Sequence, residues 1–227
     1  MIPLRDDAPR VTTPLVTYFL VALNVVIFLF EWLLSTPSRD TLIYQFGLIP
    51  ALVERALHGA GVPVAAAIVP MFTSMFLHAS WWHLIANMWA LLIFGDNVED
   101  HVGHFRYLTL YLTAGIAAAM LHVLFNQGSL IPTVGASGAI AGVMGAYFLL
   151  FPTARVLTFV FILVWLPAWL VLGYWFLAEF LAGAASSIGG GAPVGGVAVW
   201  AHVGGFIAGI TLIKLFPARE PGYSFQR

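Results

Sequence analysis

The chain has 227 residues, 61% of them apolar, 15% aromatic and only 8% charged, where a soluble domain carries about 25% charged and 45–50% apolar residues. So apolar a chain cannot cover a water-exposed globule, and it reads as a membrane protein. Nine basic against ten acidic residues give a net charge of −1 and no basic face, which argues against nucleic acid as a partner, and the absence of cysteine excludes disulfides, thiolate metal sites and a cysteine nucleophile.

The few charges divide the chain into uncharged stretches that can be compared with the roughly 20 apolar residues a spanning helix needs. Residues 11–30 hold twenty uncharged positions and predict a first span over about 14–34, with Glu31 near its far end. The stretch is long for a signal peptide, and no small-residue cleavage site follows it closely. Residues 35–81 mix Pro, Gly and the helix-forming run 51–57 and read as a loop lying in the membrane interface. A short second span is predicted over about 82–94. Residues 107–154 are broken by Asn126-Gln127-Gly128-Ser129 and Pro132 into spans at about 107–125 and 137–151. Residues 156–213 hold a single charge, Glu179, and are broken by the Gly/Ala/Ser-rich stretch 183–196 into spans at about 156–182 and 197–216.

The expected fold is therefore an all-α, polytopic membrane protein of six transmembrane helices. It forms one domain over 1–227, with a core at about 11–216, a first extracytoplasmic loop at 35–81 and a short tail at 217–227. With six spans, seven basic residues (Arg5, Arg10, Arg106, Arg155, Lys214, Arg219 and Arg227) fall on one side and two (Arg39 and Arg55) on the other. Basic residues favour cytoplasmic loops, which puts both termini in the cytoplasm.

Polar groups in hydrocarbon are costly and mark candidate functional sites. The second span opens with His83 and Asn87, four apart and so on one helical face. The fourth opens with Gly135-Ala136-Ser137-Gly138, and the sixth carries His202 near its start. All three spans descend from the extracytoplasmic side, so these four residues share one outer layer. Gly138, Gly142 and Gly145, and likewise Gly205 and Gly209, form thin faces that let backbones approach closely in lipid. At 100° per residue His202, Gly205 and Gly209 share a sector of roughly 60°, so packing of the two thin faces brings Ser137 to His202. A serine hydroxyl becomes an effective nucleophile when an imidazole takes its proton, and the oxyanion then formed needs positioned donors. His83, Asn87 and the Ser137 N–H at a helix N-terminus are candidates for that task. Taken singly each of the four has a packing explanation; their convergence in one layer brings a chemical role level with packing.

These residues resemble the rhomboid intramembrane serine proteases. The similarity rests on Gly135-Ala136-Ser137-Gly138, on His83-x-x-x-Asn87 and on His202-x-x-Gly205-x-x-x-Gly209, in the family's order on the expected spans, and runs from the first span to about Phe216. The run Phe94-Gly95-Asp96-Asn97-Val98-Glu99-Asp100 looks like that of bacterial members, which implies a multi-pass protein of a bacterial plasma membrane. The resemblance further implies a Ser–His dyad without an acid, with Ser137 as nucleophile, His202 as general base and His83 and Asn87 as oxyanion donors. Its substrates are transmembrane proteins, and it uses no cofactor. Two positions depart from the family pattern. Ala141 stands where many members carry an aromatic residue stacked on the imidazole, so Ala141→Phe is expected to raise activity. Val69-Pro70 stands where many carry Trp-Arg. His78, His101, His104 and His122 fall at different sides or depths and make no metal site. Glu179 reads as a carboxyl kept neutral or paired within the bundle, and Asp96, Glu99 and Asp100 as a solvated turn. A catalytically inactive, client-binding relative and a small transporter, to which only Glu179 points, are the competing functions.

Overall fold

Apolar runs without Gly or Pro clusters become helices, and their order sets where the polar residues fall. The computed structural model of the protein describes residues 1–189 and 198–219. The Gly/Ala/Ser-rich stretch 183–196 and the tail 217–227 thus lie partly outside the described residues. In chain order the elements are β1 (Ile2–Asp6), α1 (Leu15–Leu33), α2 (Thr36–Phe46), α3 (Pro50–Leu57), α4 (Ala65–Thr73), α5 (Trp81–Val102), α6 (His104–Phe125), α7 (Ser137–Leu150), β2 (Arg155–Val160), β3 (Ile162–Pro167), α8 (Ala168–Gly189) and α9 (Val199–Leu212). The protein is mostly helical. Among the described residues three helical stretches, Leu15–Leu33, His104–Phe125 and Ala168–Ile188, are long and apolar enough to cross a membrane, and the apolar helices Ser137–Leu150 and Val199–Leu215 are shorter. Helix α5 has spanning length but carries His83, Asn87, Asp96, Asn97, Glu99 and Asp100.

Two features correct the expectations from sequence, the first of them the all-α class. Residues 155–167 form a hairpin, not the start of a helix, and β1 pairs antiparallel with β2 to complete a sheet of order β1-β2-β3. The segment is rich in Val, Ile, Phe and Thr, which favour strands. Its continuous apolarity hides the period of two that separates strand from helix, although Val156 and Thr158 point to the buried face while Arg155 and Phe159 are exposed. Phe161 turns the hairpin at φ 68°. Arg155 ties it to the N-terminal strand through Asp7, its Nε 2.7 Å from Oδ2.

The second correction concerns the acidic run, which is no solvated turn. Helix α5 continues through it to Val102, and Glu99 is fully buried. Its carboxylate accepts from the N–H groups of Val16 and Thr17, each at 2.8 Å, and from the Thr17 hydroxyl at 2.7 Å. Asp100 accepts from the N–H groups of Val11 and Thr12 and from the Thr12 hydroxyl. Helix α1 has no side-chain cap of its own behind Pro14. The unpaired donors and positive dipole end of its first turn are instead met by carboxylates from α5.

The small-residue faces pack as their spacing predicts. A Cβ on Gly205 would overlap the Gly138 carbonyl, and one on Gly209 would overlap that of Gly142. Helices α7 and α9 thus touch backbone to backbone, while Gly142 also receives Ala114 of α6. At the opposite end from the sheet, α2 to α4 fold over the α6–α7 connection: Leu48 and Thr133 exchange backbone hydrogen bonds at 2.9 and 2.8 Å, and the Gly135 N–H donates to the Ser74 carbonyl at 2.8 Å.

Candidate active site

Ser137 is the first residue of α7, where the opening turn leaves N–H groups without intrahelical acceptors. The glycine seam fixes its partner. With Gly205 seated on the Gly138 carbonyl, His202, one turn earlier on α9, is carried alongside Ser137, and its Nε2 lies 2.8 Å from Ser137 Oγ. His202 is 8% exposed. The pair proposed from spacing is in hydrogen-bond contact.

His83 and Ser137 flank a common point. Gly135 has φ 133°, a conformation that side chains rarely adopt, and a Cβ there would sit 2.7 Å from His83 Nε2 and 3.7 Å from Ser137 Oγ. Gly135 therefore keeps open the space between the imidazole edge and the hydroxyl. One turn along the same face, Asn87 is 6% exposed, and among the described residues its Nδ2 has no hydrogen-bond partner. A buried amide donor left unpaired is uncommon. A cavity of about 30 Å³, enough for one water molecule, borders Ser137, Gly135, Thr133 and Ser74.

His78 supports this layer from the turn ahead of α5. Its ring is fully buried, 5.1 Å from the His83 ring between centroids, and neither ring nitrogen is bonded among the described residues. Burial, with the nearby His83 adding to it, pushes its pKa down from 6.5 to about 3. Its N–H donates to Glu31 of α1 at 3.3 Å, and Arg39 donates to the carbonyls of His78 and Ala79 at 3.2 and 3.0 Å. Arg39 also lies over the rings of Phe28 and Trp32. His101 and His104 sit apart, His104 bonding Glu99, while His122 bonds Thr133 at the edge of that cavity.

Glu179 is paired within the bundle, and its partner is His202. Oε2 stands 3.0 Å from Nδ1, the ring nitrogen facing away from Ser137. Trp175, one turn before it on α8, lies 5.7 Å from the imidazole between centroids, tilted 36°. The structure thus adds an acid to the dyad that the resemblance implied. The sequence signal for it is that Glu179 is the single charge in 156–213, placed toward the end of one span, across a connection from the start of the next, where His202 lies. Ala141 is fully buried, so an aromatic ring there has to displace its neighbours, a packing cost that opposes the gain expected from Ala141→Phe.

A helical membrane protein with a buried Ser–His pair at the head of two helices joined through glycine is the class that fold and site define. The model of the Rhomboid domain matches residues 65–219, and the chain belongs to that family. It is 35% identical over 97 residues to Rhomboid protein 1, mitochondrial, of Saccharomyces cerevisiae, across 41% of this chain and 28% of that protein. It is 31% identical over 138 residues to Presenilin-associated rhomboid-like protein A, mitochondrial, of Danio rerio, across 60% of this chain and 32% of that one. Rhomboid-like protein 11, chloroplastic, of Arabidopsis thaliana is 31% identical over 152 residues, across 63% and 50%. The chain spans about a quarter of the length of the first relatives it matches.

Proposed function

We propose that this protein is an intramembrane serine endopeptidase that cuts peptide bonds in or near the transmembrane segments of other membrane proteins. The observation that carries the reading is the 2.8 Å contact between Ser137 Oγ and His202 Nε2 in a buried interface. Ser137 Oγ attacks the scissile carbonyl carbon while its proton passes to Nε2. The tetrahedral oxyanion takes hydrogen bonds from the Ser137 N–H, the Asn87 Nδ2 and His83. The imidazolium then returns its proton to the departing amine, and the acyl group remains on Ser137. Water, for which the neighbouring cavity has room, repeats the sequence to release the acid and free the serine. Side chains and backbone supply every proton and charge in this cycle, so the proposal includes no metal or cofactor.

The proposal includes six spans, formed by α1, α5, α6, α7, α8 and α9, with both termini in the cytoplasm of a bacterial cell and the site opening toward the other face of its plasma membrane. The bias of seven basic residues against two supports that orientation. So does the gathering of charge at one end, where Arg10 meets Asp96, Arg106 donates to the Pro217 carbonyl and the Arg219 N–H donates to that of His101. The partners are then single-span substrates and the lipid around them.

A fluorophosphonate probe tests the reading by covalent capture of the nucleophile. Wild type is expected to label at Ser137, located by peptide mass spectrometry, and His202→Ala to lose the label. Labelling of His202→Ala at the wild-type rate would contradict the pairing.

A further inference from the structure

We propose that Glu179 completes a Ser–His–Glu relay, acting as a positioning residue that sets the tautomer and orientation of His202. The inference rests on the serine protease reading above. His202 has two ring nitrogens and both are engaged: Nε2 meets Ser137 Oγ at 2.8 Å and Nδ1 meets Glu179 Oε2 at 3.0 Å. An ionised carboxylate accepts hydrogen bonds and donates none. Its contact with Nδ1 therefore fixes the ring proton there and leaves the Nε2 lone pair facing the serine hydroxyl, the tautomer a general base requires. As Nε2 takes the serine proton, the ring becomes cationic and the adjacent carboxylate balances the new charge. Little water competes, since the side chains of His202 and Glu179 are only 10% and 20% exposed.

Helix α8 also holds the ring mechanically. Trp175 and Glu179 are one turn apart and therefore on the same face. One packs beside the imidazole at 5.7 Å and the other bonds it. Helix α7 offers only a methyl at Ala141. The base of the proposed reaction thus belongs to α9, its nucleophile to α7 and its orientation to α8.

The test compares kcat and KM in proteoliposomes for wild type, Glu179→Gln, Glu179→Asp and Ser137→Ala, with one single-span substrate. Glu179→Gln keeps the shape but loses the charge. It is expected to lower kcat on the order of a hundredfold with KM unchanged, less than the roughly 10⁴-fold lost when a buried triad aspartate is made an amide, because Trp175 still orients the ring. Glu179→Asp should recover part of kcat with KM again unchanged. Wild-type kcat in Glu179→Gln, with Ser137→Ala inactive, would overturn the relay and leave the serine reading standing. Lost activity in both Glu179 variants, with a raised KM and a lowered melting temperature, would reduce Glu179 to a structural residue. Cleavage by Ser137→Ala would remove the serine reading itself.

Discussion

The Asn87 amide is buried, and among the described residues its Nδ2 has no partner, so truncating it removes a donor that the resting protein does not use. Asn87→Ala is expected to leave the melting temperature close to wild type while lowering kcat about 10²-fold, the loss typical of one oxyanion donor. A fall in stability without a fall in kcat would make Asn87 a packing residue. Ala141→Phe sets packing against stacking. With the methyl enclosed at the α7–α9 seam, overpacking should destabilise by about 1–3 kcal/mol, read as a lower melting temperature. His78 links the site to pH. Its folded pKa of about 3 lies below the unfolded 6.5, so between these values the unfolded chain binds the extra proton. The stabilisation is complete above pH 6.5 and is lost as pH falls toward 3, by at most about 1.4 kcal/mol per pH unit. Melting temperatures from pH 7 to 5 should decline less steeply in His78→Leu than in wild type. The Ser137–His202 pairing was legible because glycine spacing fixed both depth and face. Glu179 was visible as a lone charge, but its partner depends on the rotation of α8, which a helix apolar on all sides does not encode.

Glycine, more than side-chain volume, defines the elements at the centre. Gly205→Val and Gly209→Leu would each drive a side chain into a carbonyl of α7, and neither backbone can yield without parting the helices. Both are expected to abolish cleavage and to lower the melting temperature well beyond the effect of Ala141→Phe. Wild-type stability in either would show that the seam is looser than its geometry. The α1–α5 contact is different in kind, since Glu99 caps a helix to which it does not belong. Glu99→Ala leaves two N–H groups and a hydroxyl without their acceptor. It should cost about 1–3 kcal/mol, checked by denaturant or thermal unfolding in detergent. Helices α6, α7 and α9 could be read to within a few residues because turn-forming breaks bound them. The hairpin of β2 and β3 could not be read, because in a chain this apolar both faces of a strand are hydrophobic and alternation fades. The partner that fixes it, β1, lies about 150 residues away, beyond the reach of any local pattern.

At the scale of the whole molecule, few charges organise a largely uncharged body. The end with β1, the hairpin and the α5–α6 junction carries most of them, while the end with α2 to α4 carries Arg39, Asp40, Glu54 and Arg55 and covers the site. The chain has no cysteine, so single cysteines report sidedness cleanly. Thr41→Cys and Gln127→Cys should react with an impermeant maleimide from outside intact cells, and Phe105→Cys only after permeabilisation. The reverse pattern would invert the proposed orientation. The most direct measurement of the proposed activity is cleavage of a single-span substrate in proteoliposomes by wild type, Ser137→Ala and His202→Ala, with the product termini identified by mass spectrometry. Wild type is expected to give one cut in or beside the transmembrane segment and both variants none. Cleavage at the same bond by either variant would contradict the assignment of Ser137 and His202 as nucleophile and base.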